Sequence, residues 1–182
     1  MLAVGLTGGI AFTWTLLDRW IAPGMTRHGP WVSWLKAGAP DADPYSLAAM
    51  ARRGEIPMTP PEGLAFFASR DDAGSALDTA CHYEIAGSMP PARAWTMTLY
   101  SPDGRLRRGP SGRSGFTSAE ALHDGPRLAI QLSAAPQPGN WIPLTVDGRM
   151  VVALRFYDTP LSAEAAAPDA GRLPSIRRVG CP

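Results

Sequence analysis

The sequence is poor in charge and has almost no lysine. Lys36 is the single lysine among 17 basic residues, which 16 acidic residues balance to a formal net charge of +1. Dedicated nucleic-acid-binding proteins usually carry a basic stripe, so this near-neutral composition argues against that class of function. Hydrophobic residues make up 45% of the chain, which is enough for a packed core and argues against general disorder.

Catalytic and cofactor-binding motifs are also missing from the sequence. There is no G-x-S-x-G nucleophile elbow, no Walker pattern and no G-x-G-x-x-G loop. His28, His82 and His123 are scattered along the chain, and no His/Cys cluster has the spacing of a zinc site. We therefore predict no catalytic residue, no metal ligand and no cofactor.

Cysteine is limited to Cys81 and Cys181, which lie far apart and outside any C-x-x-C pair. We expect a disulfide between them, which would hold the C-terminal tail in place by closing a long loop. Such a bond requires an oxidising compartment such as the periplasm. The alternative is a pair of unrelated free thiols.

Helix-breaking residues are abundant, with 19 glycines and 19 prolines. This composition excludes a long-helix bundle and favours short strands joined by turns. Asp103-Gly104 and Asp147-Gly148 are turn signals, and the second predicts a hairpin before the last long strand. Apolar and alternating runs predict strands at 64–68, 82–86, 95–100, 127–132, 149–157 and 176–179.

One short helix is predicted at Pro44–Arg53, with Asp43 as the N-cap and Pro44 at the first helical position. The overall prediction is a mainly β protein. We expect an antiparallel β-sandwich, jelly-roll-like, over residues 59–182. A juxtamembrane segment at 23–58 precedes it and contains this helix, and residues 20–39 are expected to be irregular and aromatic.

The N-terminal residues 1–17 contain no charged side chain. They lack the basic start and the A-x-A cleavage site of a signal peptide, and no clear polar face marks a buried core helix. We therefore expect residues 1–22 to form a single transmembrane anchor. Arg19, Arg27 and Lys36 favour a cytoplasmic main domain, whereas the expected disulfide favours the periplasmic side of a bacterial inner membrane. We prefer the argument from the disulfide and expect a periplasmic main domain.

Three ordered blocks resemble one known family. They are residues 95–100 with Asp103-Gly104, residues 139–143 with the sequence GNWIP, and residues 152–157 with the sequence VALRFY. Together they are similar to the bacterial family called domain of unknown function 1214, over roughly residues 64–181. The resemblance implies a β-sandwich domain, often found in envelope proteins, and it implies no established reaction.

Arg155 interrupts the apolar strand at 149–157, and a partly buried arginine normally needs a carboxylate or carbonyl partner. A structural role is the first interpretation, and contact with a ligand is the alternative. If a ligand pocket exists, we expect Asn140, Trp141, Arg155 and Tyr157 to line it.

A second set of residues surrounds the Asp103-Gly104 turn and consists of arginines. If these side chains share a rim, they would form a positive patch for anionic lipid head groups or an acidic partner. A solvated edge is the alternative. The set comprises Arg93, Arg105, Arg107, Arg108 and Arg113.

These observations favour a non-catalytic function. The leading hypothesis is a membrane-anchored, periplasmic accessory or scaffolding subunit of a membrane protein complex, with the membrane contacted through residues 1–22. The first alternative is a binding module for envelope carbohydrate or lipid, and the second is an uncharacterised hydrolase or isomerase. The expected partners are subunits of that complex, and no nucleic acid.

Overall fold

The computed structural model describes residues 2–18, 24–53, 55–59, 61–123, 127–162 and 173–182. These residues form two α-helices, ten β-strands and a 3-10 turn at Pro160–Ser162. The helices are α1 (Leu2–Asp18) and α2 (Pro44–Arg53). The strands are β1 (Met25–His28), β2 (Trp31–Trp34), β3 (Gly63–Ala68), β4 (His82–Gly87), β5 (Ala94–Tyr100), β6 (Gly115–Thr117), β7 (Leu128–Ser133), β8 (Asn140–Pro143), β9 (Val151–Tyr157) and β10 (Ser175–Gly180).

The strands form two sheets, so the fold is mainly β, in agreement with the composition. The large sheet has the order β1-β2-β3-β9-β5-β6, and the small sheet has the order β10-β4-β7-β8. Neighbouring strands are antiparallel except for β7 and β8, which pair in parallel. The parallel pair therefore departs from the antiparallel, jelly-roll-like sandwich of at least six strands that the sequence suggested.

The main core lies between the inner faces of the two sheets. Phe66, Met97 and Leu154 of the large sheet are fully buried in one cluster with Tyr83 and Ile130 of the small sheet. This burial follows the period of two along each strand, because alternate side chains point to opposite faces. The two sheets therefore pack as a sandwich.

A second core covers half of the outer face of the large sheet. Helix α2 begins where predicted, and the Asp43 carboxylate accepts hydrogen bonds from the backbone N–H groups of Tyr45 at 3.0 Å and Ser46 at 3.1 Å. Met50 of α2 packs with Phe67 and Ala153 of the sheet in this second cluster. The rest of that face, over β5, β6 and the end of β9, is where the candidate site lies.

The aromatic segment after residue 23 is more regular than the sequence suggested. β1 and β2 pair as an antiparallel hairpin, and Val32 pairs with Phe67 to join the hairpin to β3. Trp31 is 1% exposed, and its indole N–H donates a 2.7 Å hydrogen bond to the carbonyl of Pro174. The expectation of an irregular segment was wrong because strands of four residues leave little periodic signal.

The expected transmembrane anchor at 1–22 was also wrong. No helix within the described residues is long and apolar enough to cross a membrane. α1 has 17 residues, and at about 1.5 Å per residue it falls short of a hydrocarbon core of roughly 30 Å. α1 contacts α2, where the Arg52 guanidinium lies 3.9 Å from the ring centroid of Trp14. Residues 1 and 19–22 of the expected anchor, Arg19 among them, lie outside the described residues.

The expected disulfide is confirmed. Cys81 and Cys181 are bonded across a sequence separation of 100 residues. Cys81 directly precedes β4, and Cys181 directly follows β10. The bond therefore fastens β10, at the edge of the small sheet, to its neighbour at the end of their shared ladder.

Candidate functional site

An open groove lies on the outer face of the large sheet, and we call it the outer groove. Its volume is about 940 Å³. The side chains that line it come from β5, from β9, and from β6 with the loops around it. They include Thr96, Thr98, Tyr100, Arg113, Thr117, Glu120, Arg155 and Tyr157.

Strand alternation explains why polar side chains meet in this groove. In β5, Trp95, Met97 and Leu99 are buried in the main core, so the residues between them face outward. β9 pairs with β5 in a register that sets Arg155 opposite Thr96. The outward-facing polar residues of β5 and β9 therefore lie side by side on one surface.

Arg155 is the central cation of the outer groove. Its guanidinium carbon lies 5.4 Å from the ring centroid of Tyr100 and 5.7 Å from that of Phe67, both within the range of a cation–π contact. Nη1 donates a long 3.4 Å hydrogen bond to the Tyr100 hydroxyl. No carboxylate within the described part of the chain forms an ion pair with Arg155, so its remaining N–H donors are available to a ligand.

Arg113 supplies a second cation at the opposite side of the groove. Its guanidinium carbon lies 4.4 Å from the ring centroid of Phe116, and Nη1 donates a 3.4 Å hydrogen bond to the carbonyl of Gly115. Gly115 is required for this geometry, because a Cβ atom there would lie 2.0 Å from the carbonyl oxygen of Met97. Close approach of β6 to β5 thus positions the loop that carries Arg113.

Hydroxyl groups and one acid complete the lining. The hydroxyls of Thr96 and Tyr157 lie 3.4 Å apart. The carboxylate of Glu120 accepts hydrogen bonds of 3.1 Å from both the backbone N–H and the hydroxyl of Thr117. One oxygen of Glu120 is therefore already hydrogen-bonded within the protein.

The residues predicted to share a ligand pocket are divided between the two sheets. Arg155 and Tyr157 line the outer groove, whereas Asn140 and Trp141 belong to β8 of the small sheet. Asn140 is 5% exposed, and its side chain bonds to the N–H and carbonyl of Leu122, both at 2.7 Å, and to the carbonyl of Ala129 at 3.0 Å. Asn140 therefore fixes a loop and does not line the outer groove.

Trp141 takes a position beside Asn140 on β8 but differs in exposure. It is half-buried, and its indole N–H donates a 2.9 Å hydrogen bond to the carbonyl of Ser133. The residues on either side of it are buried, so alternation directs Trp141 to the outer face of the small sheet. That face is on the far side of the sandwich from the outer groove.

The predicted arginine patch is likewise divided. Arg93 precedes β5 and Arg105 follows it, so they lie at opposite ends of that strand. Arg105 pairs with Asp103 at 3.1 Å, and Arg107 pairs with Asp147. Arg105, Arg107 and Arg108 line a separate hollow of about 350 Å³ near these acids, while Arg113 lies in the outer groove.

The histidines do not form a catalytic arrangement among the described residues. His82 Nε2 lies 2.7 Å from the side-chain oxygen of Gln131, and no histidine pairs with a carboxylate in this part of the chain. His28 is 7% exposed, its Nε2 has no hydrogen-bond partner, and burial lowers the pKa of its ring. His123 is exposed. The described residues also contain no group of three or more acids, cysteines or histidines able to hold a metal ion.

Sequence reasoning missed Tyr100 and the threonines of β5 as lining residues. The signal was available, because the alternation at 95–100 sets Thr96, Thr98 and Tyr100 on one face. What the sequence did not supply was the pairing of β5 with β9, which brings that face beside Arg155 and Tyr157.

Comparison with solved structures finds two matches, of which the first is similar to this chain in fold. The VPA0106 protein from Vibrio parahaemolyticus has a TM-score of 0.61 and 21% identity, and the match covers 98% of this chain and 44% of that one. An uncharacterised protein from Burkholderia cenocepacia has a TM-score of 0.49 and 17% identity, with 98% of this chain and 51% of that one covered. The chain thus spans about half the length of either protein or less.

Comparison with curated proteins finds no match. A family model described as "Protein of unknown function (DUF1214)" matches residues 62–161. This stretch runs from the residue before β3 to the 3-10 turn after β9, and it includes most of the large sheet and the whole lining of the outer groove. The chain therefore belongs to the DUF1214 family, as the three sequence blocks indicated.

Proposed function

We propose that this protein is a non-catalytic carbohydrate-binding module and that its ligand lies in the outer groove. The observation that carries the proposal is the position of Arg155. It stands in an open groove between two aromatic rings, with a single long hydrogen bond to a side chain. A guanidinium held in this way is oriented by the protein while its donors remain free for a ligand.

The chemistry of the lining favours a sugar over an acyl chain. Threonine and tyrosine hydroxyls both donate and accept hydrogen bonds, and they match the hydroxyls of a saccharide. The rings of Tyr100 and Tyr157 offer apolar faces beside those hydroxyls. An acyl chain would require a groove lined mainly by apolar side chains, which this one lacks among its described residues.

The disulfide supports a location in an oxidising compartment. Bonds such as Cys81–Cys181 persist outside the reducing cytoplasm, for example in the bacterial periplasm. We place the protein there as part of this proposal. The glycans of the cell envelope would then be within its reach.

The test is a screen of oligosaccharides by calorimetry with a variant that fills the groove. Thr98 faces outward from the centre of β5, so Thr98→Trp should occupy the groove and abolish binding while the fold persists. Ala129→Trp, at an exposed position on the small sheet, is the matched control and should bind as the wild type does. Full binding by Thr98→Trp, or the absence of any saccharide ligand for the wild type, would contradict the proposal.

A second candidate function is that of an accessory subunit in a protein complex. It is favoured by apolar side chains on α1 that lie in solvent, among them Val4 at 75%, Phe12 at 67% and Ile10 at 61% exposure. Contiguous apolar surface of this kind commonly marks a contact with a partner protein.

The accessory role is tested by purification of the protein with its native partners. Ile10→Glu combined with Phe12→Glu should remove a partner that the wild type retains, because a charge at the contact is costly to desolvate. Val146→Glu is the control, since Val146 is also 61% exposed but lies far along the chain from α1. An unchanged set of partners in the α1 variant would contradict this role.

A further inference from the structure

We infer that the outer groove selects an acidic oligosaccharide and that Arg155 and Arg113 bind its oxyanions. This inference rests on the proposed function and names the ligand class. Its basis is the charge of the groove, the pairing of each charged group, and the separation of the two arginines across the sheet.

The charged groups that line the described groove are two arginines and one glutamate. Glu120 already accepts two hydrogen bonds from Thr117, whereas neither arginine has a carboxylate partner among the described residues. The groove therefore holds an excess positive charge whose natural complement is an anion on the ligand. A guanidinium presents a planar fork of donors that fits a carboxylate or a phosphate in a bidentate manner.

The other arginine-rich part of the molecule provides a contrast. In the smaller hollow, Arg105 pairs with Asp103 and Arg107 pairs with Asp147. A ligand anion would therefore compete with the protein's own carboxylates for Arg105 and Arg107, although Nε of Arg107 has no hydrogen-bond partner among the described residues. Among the residues that the structure describes, no carboxylate pairs with Arg155 in this way.

The arginines lie on either side of β5, so a ligand that contacts both crosses that strand. Arg155 is on β9 and Arg113 precedes β6, so the two flank β5 from either side. Two strand spacings correspond to about 10 Å between the outer backbones. An oligosaccharide of two or more acidic sugars can span this distance, reach both arginines and contact the β5 threonines between them.

The test compares oligogalacturonate with its methyl ester, in which each carboxylate is neutralised but the sugar chain is kept. Wild-type protein should bind the acid about tenfold more tightly, because a hydrogen bond to a charged group is roughly twice as strong as a neutral one. Arg155→Gln should reduce that preference, and Arg155→Gln combined with Arg113→Gln should abolish it. Arg105→Gln should keep it, since Arg105 lies outside the groove and pairs with Asp103.

Three further measurements define the outcomes. Arg155→Lys keeps the charge but loses the fork, so it should retain part of the preference even if Arg155→Gln fails to fold. A phosphorylated oligosaccharide that binds in place of the galacturonate would support the inference with phosphate as the oxyanion. Binding of inorganic phosphate alone, with no saccharide bound, would overturn it.

The results that would contradict this inference differ from those that would contradict the proposed function. Equal affinity for acid and ester, or a preference that survives the loss of both arginines in the folded protein, would overturn the anionic ligand while leaving a neutral carbohydrate-binding module. If neither the acid, the ester nor any other saccharide binds, the proposed function itself is wrong.

Discussion

At the scale of single residues, polar side chains in this protein divide into those that the fold uses and those that it leaves available. Asn140 has three hydrogen bonds to backbone groups and almost no exposure. Arg155 has two aromatic faces and one long hydrogen bond. The first pattern is typical of a structural residue and the second of one that is positioned for a ligand.

We expect Asn140→Ala to destabilise the protein by about 2–3 kcal/mol, because the three hydrogen bonds from the buried Asn140 side chain to the backbone of Leu122 and Ala129 are lost. Chemical denaturation measures the loss. Saccharide affinity of the folded variant should be unchanged, since Asn140 lies in the small sheet. A fall in affinity with no fall in stability would contradict the structural assignment.

His28 makes stability depend on pH. Burial lowers the pKa of its ring below the ordinary value of 6.5, so near and below that pH the unfolded state binds more protons than the folded state. The free energy of unfolding should therefore fall as the pH is lowered from 6.5 through the folded-state pKa. His28→Phe, beside Phe66, removes the titrating group and should flatten that part of the profile. An identical pH profile in the variant would contradict this account.

Some of the residues that line the outer groove could be predicted from the sequence. Arg155 stood out because it interrupts an apolar strand, and Tyr157 was identified with it. The partners of Arg155 could not be predicted, because Phe67 and Tyr100 belong to β3 and β5, which lie on either side of β9 in the sheet. Asn140 was misleading, since a buried amide that fixes a loop and an amide that binds a ligand look alike in sequence.

At the scale of elements, the long strands were predictable and the short ones were not. β5 and β9 have seven residues each, and their patterns identify them. β1, β2, β6 and β8 have three or four residues each, too few to show a period. Helix α2 was predicted through its N-cap, which is a local signal that does not depend on the rest of the fold.

Turn chemistry predicted a bend at Asp147-Gly148 but not what the bend joins. The expected hairpin was wrong, because β8 lies in the small sheet and β9 in the large sheet. The backbone N–H groups of Asp147 and Gly148 instead donate to the hydroxyl of Thr79, at 2.9 and 3.0 Å. A distant contact, which no local pattern encodes, holds this connection between the sheets.

The disulfide yields a prediction for β10. Loss of Cys81–Cys181 through the pair of serine substitutions should reduce stability by about 4–5 kcal/mol in the chain-entropy model for a loop of 100 residues. Hydrogen exchange should accelerate first in β10, which pairs only with β4 among the described strands. Equal protection of β10 in the variant and the wild type would contradict this role of the bond.

At the scale of the whole molecule, the two sides of the large sheet differ in what covers them. Its inner face is closed by the small sheet, and α2 with neighbouring residues closes half of its outer face. The remaining half holds the outer groove, with its hydroxyls and two arginines. Sequence patterns predicted a two-sheet protein, but the location of the open surface depends on which strands become neighbours.

The most direct test of the central claim is an NMR titration of the labelled protein with oligogalacturonate. If the outer groove is the binding site, shifts should concentrate at the backbone amides of β5, β6 and β9, with Thr96, Thr98 and Gly115 foremost. The amides of β4, β7, β8 and β10 should change little. Shifts centred on Trp141 and the small sheet, or no shifts at saturating saccharide, would contradict the account.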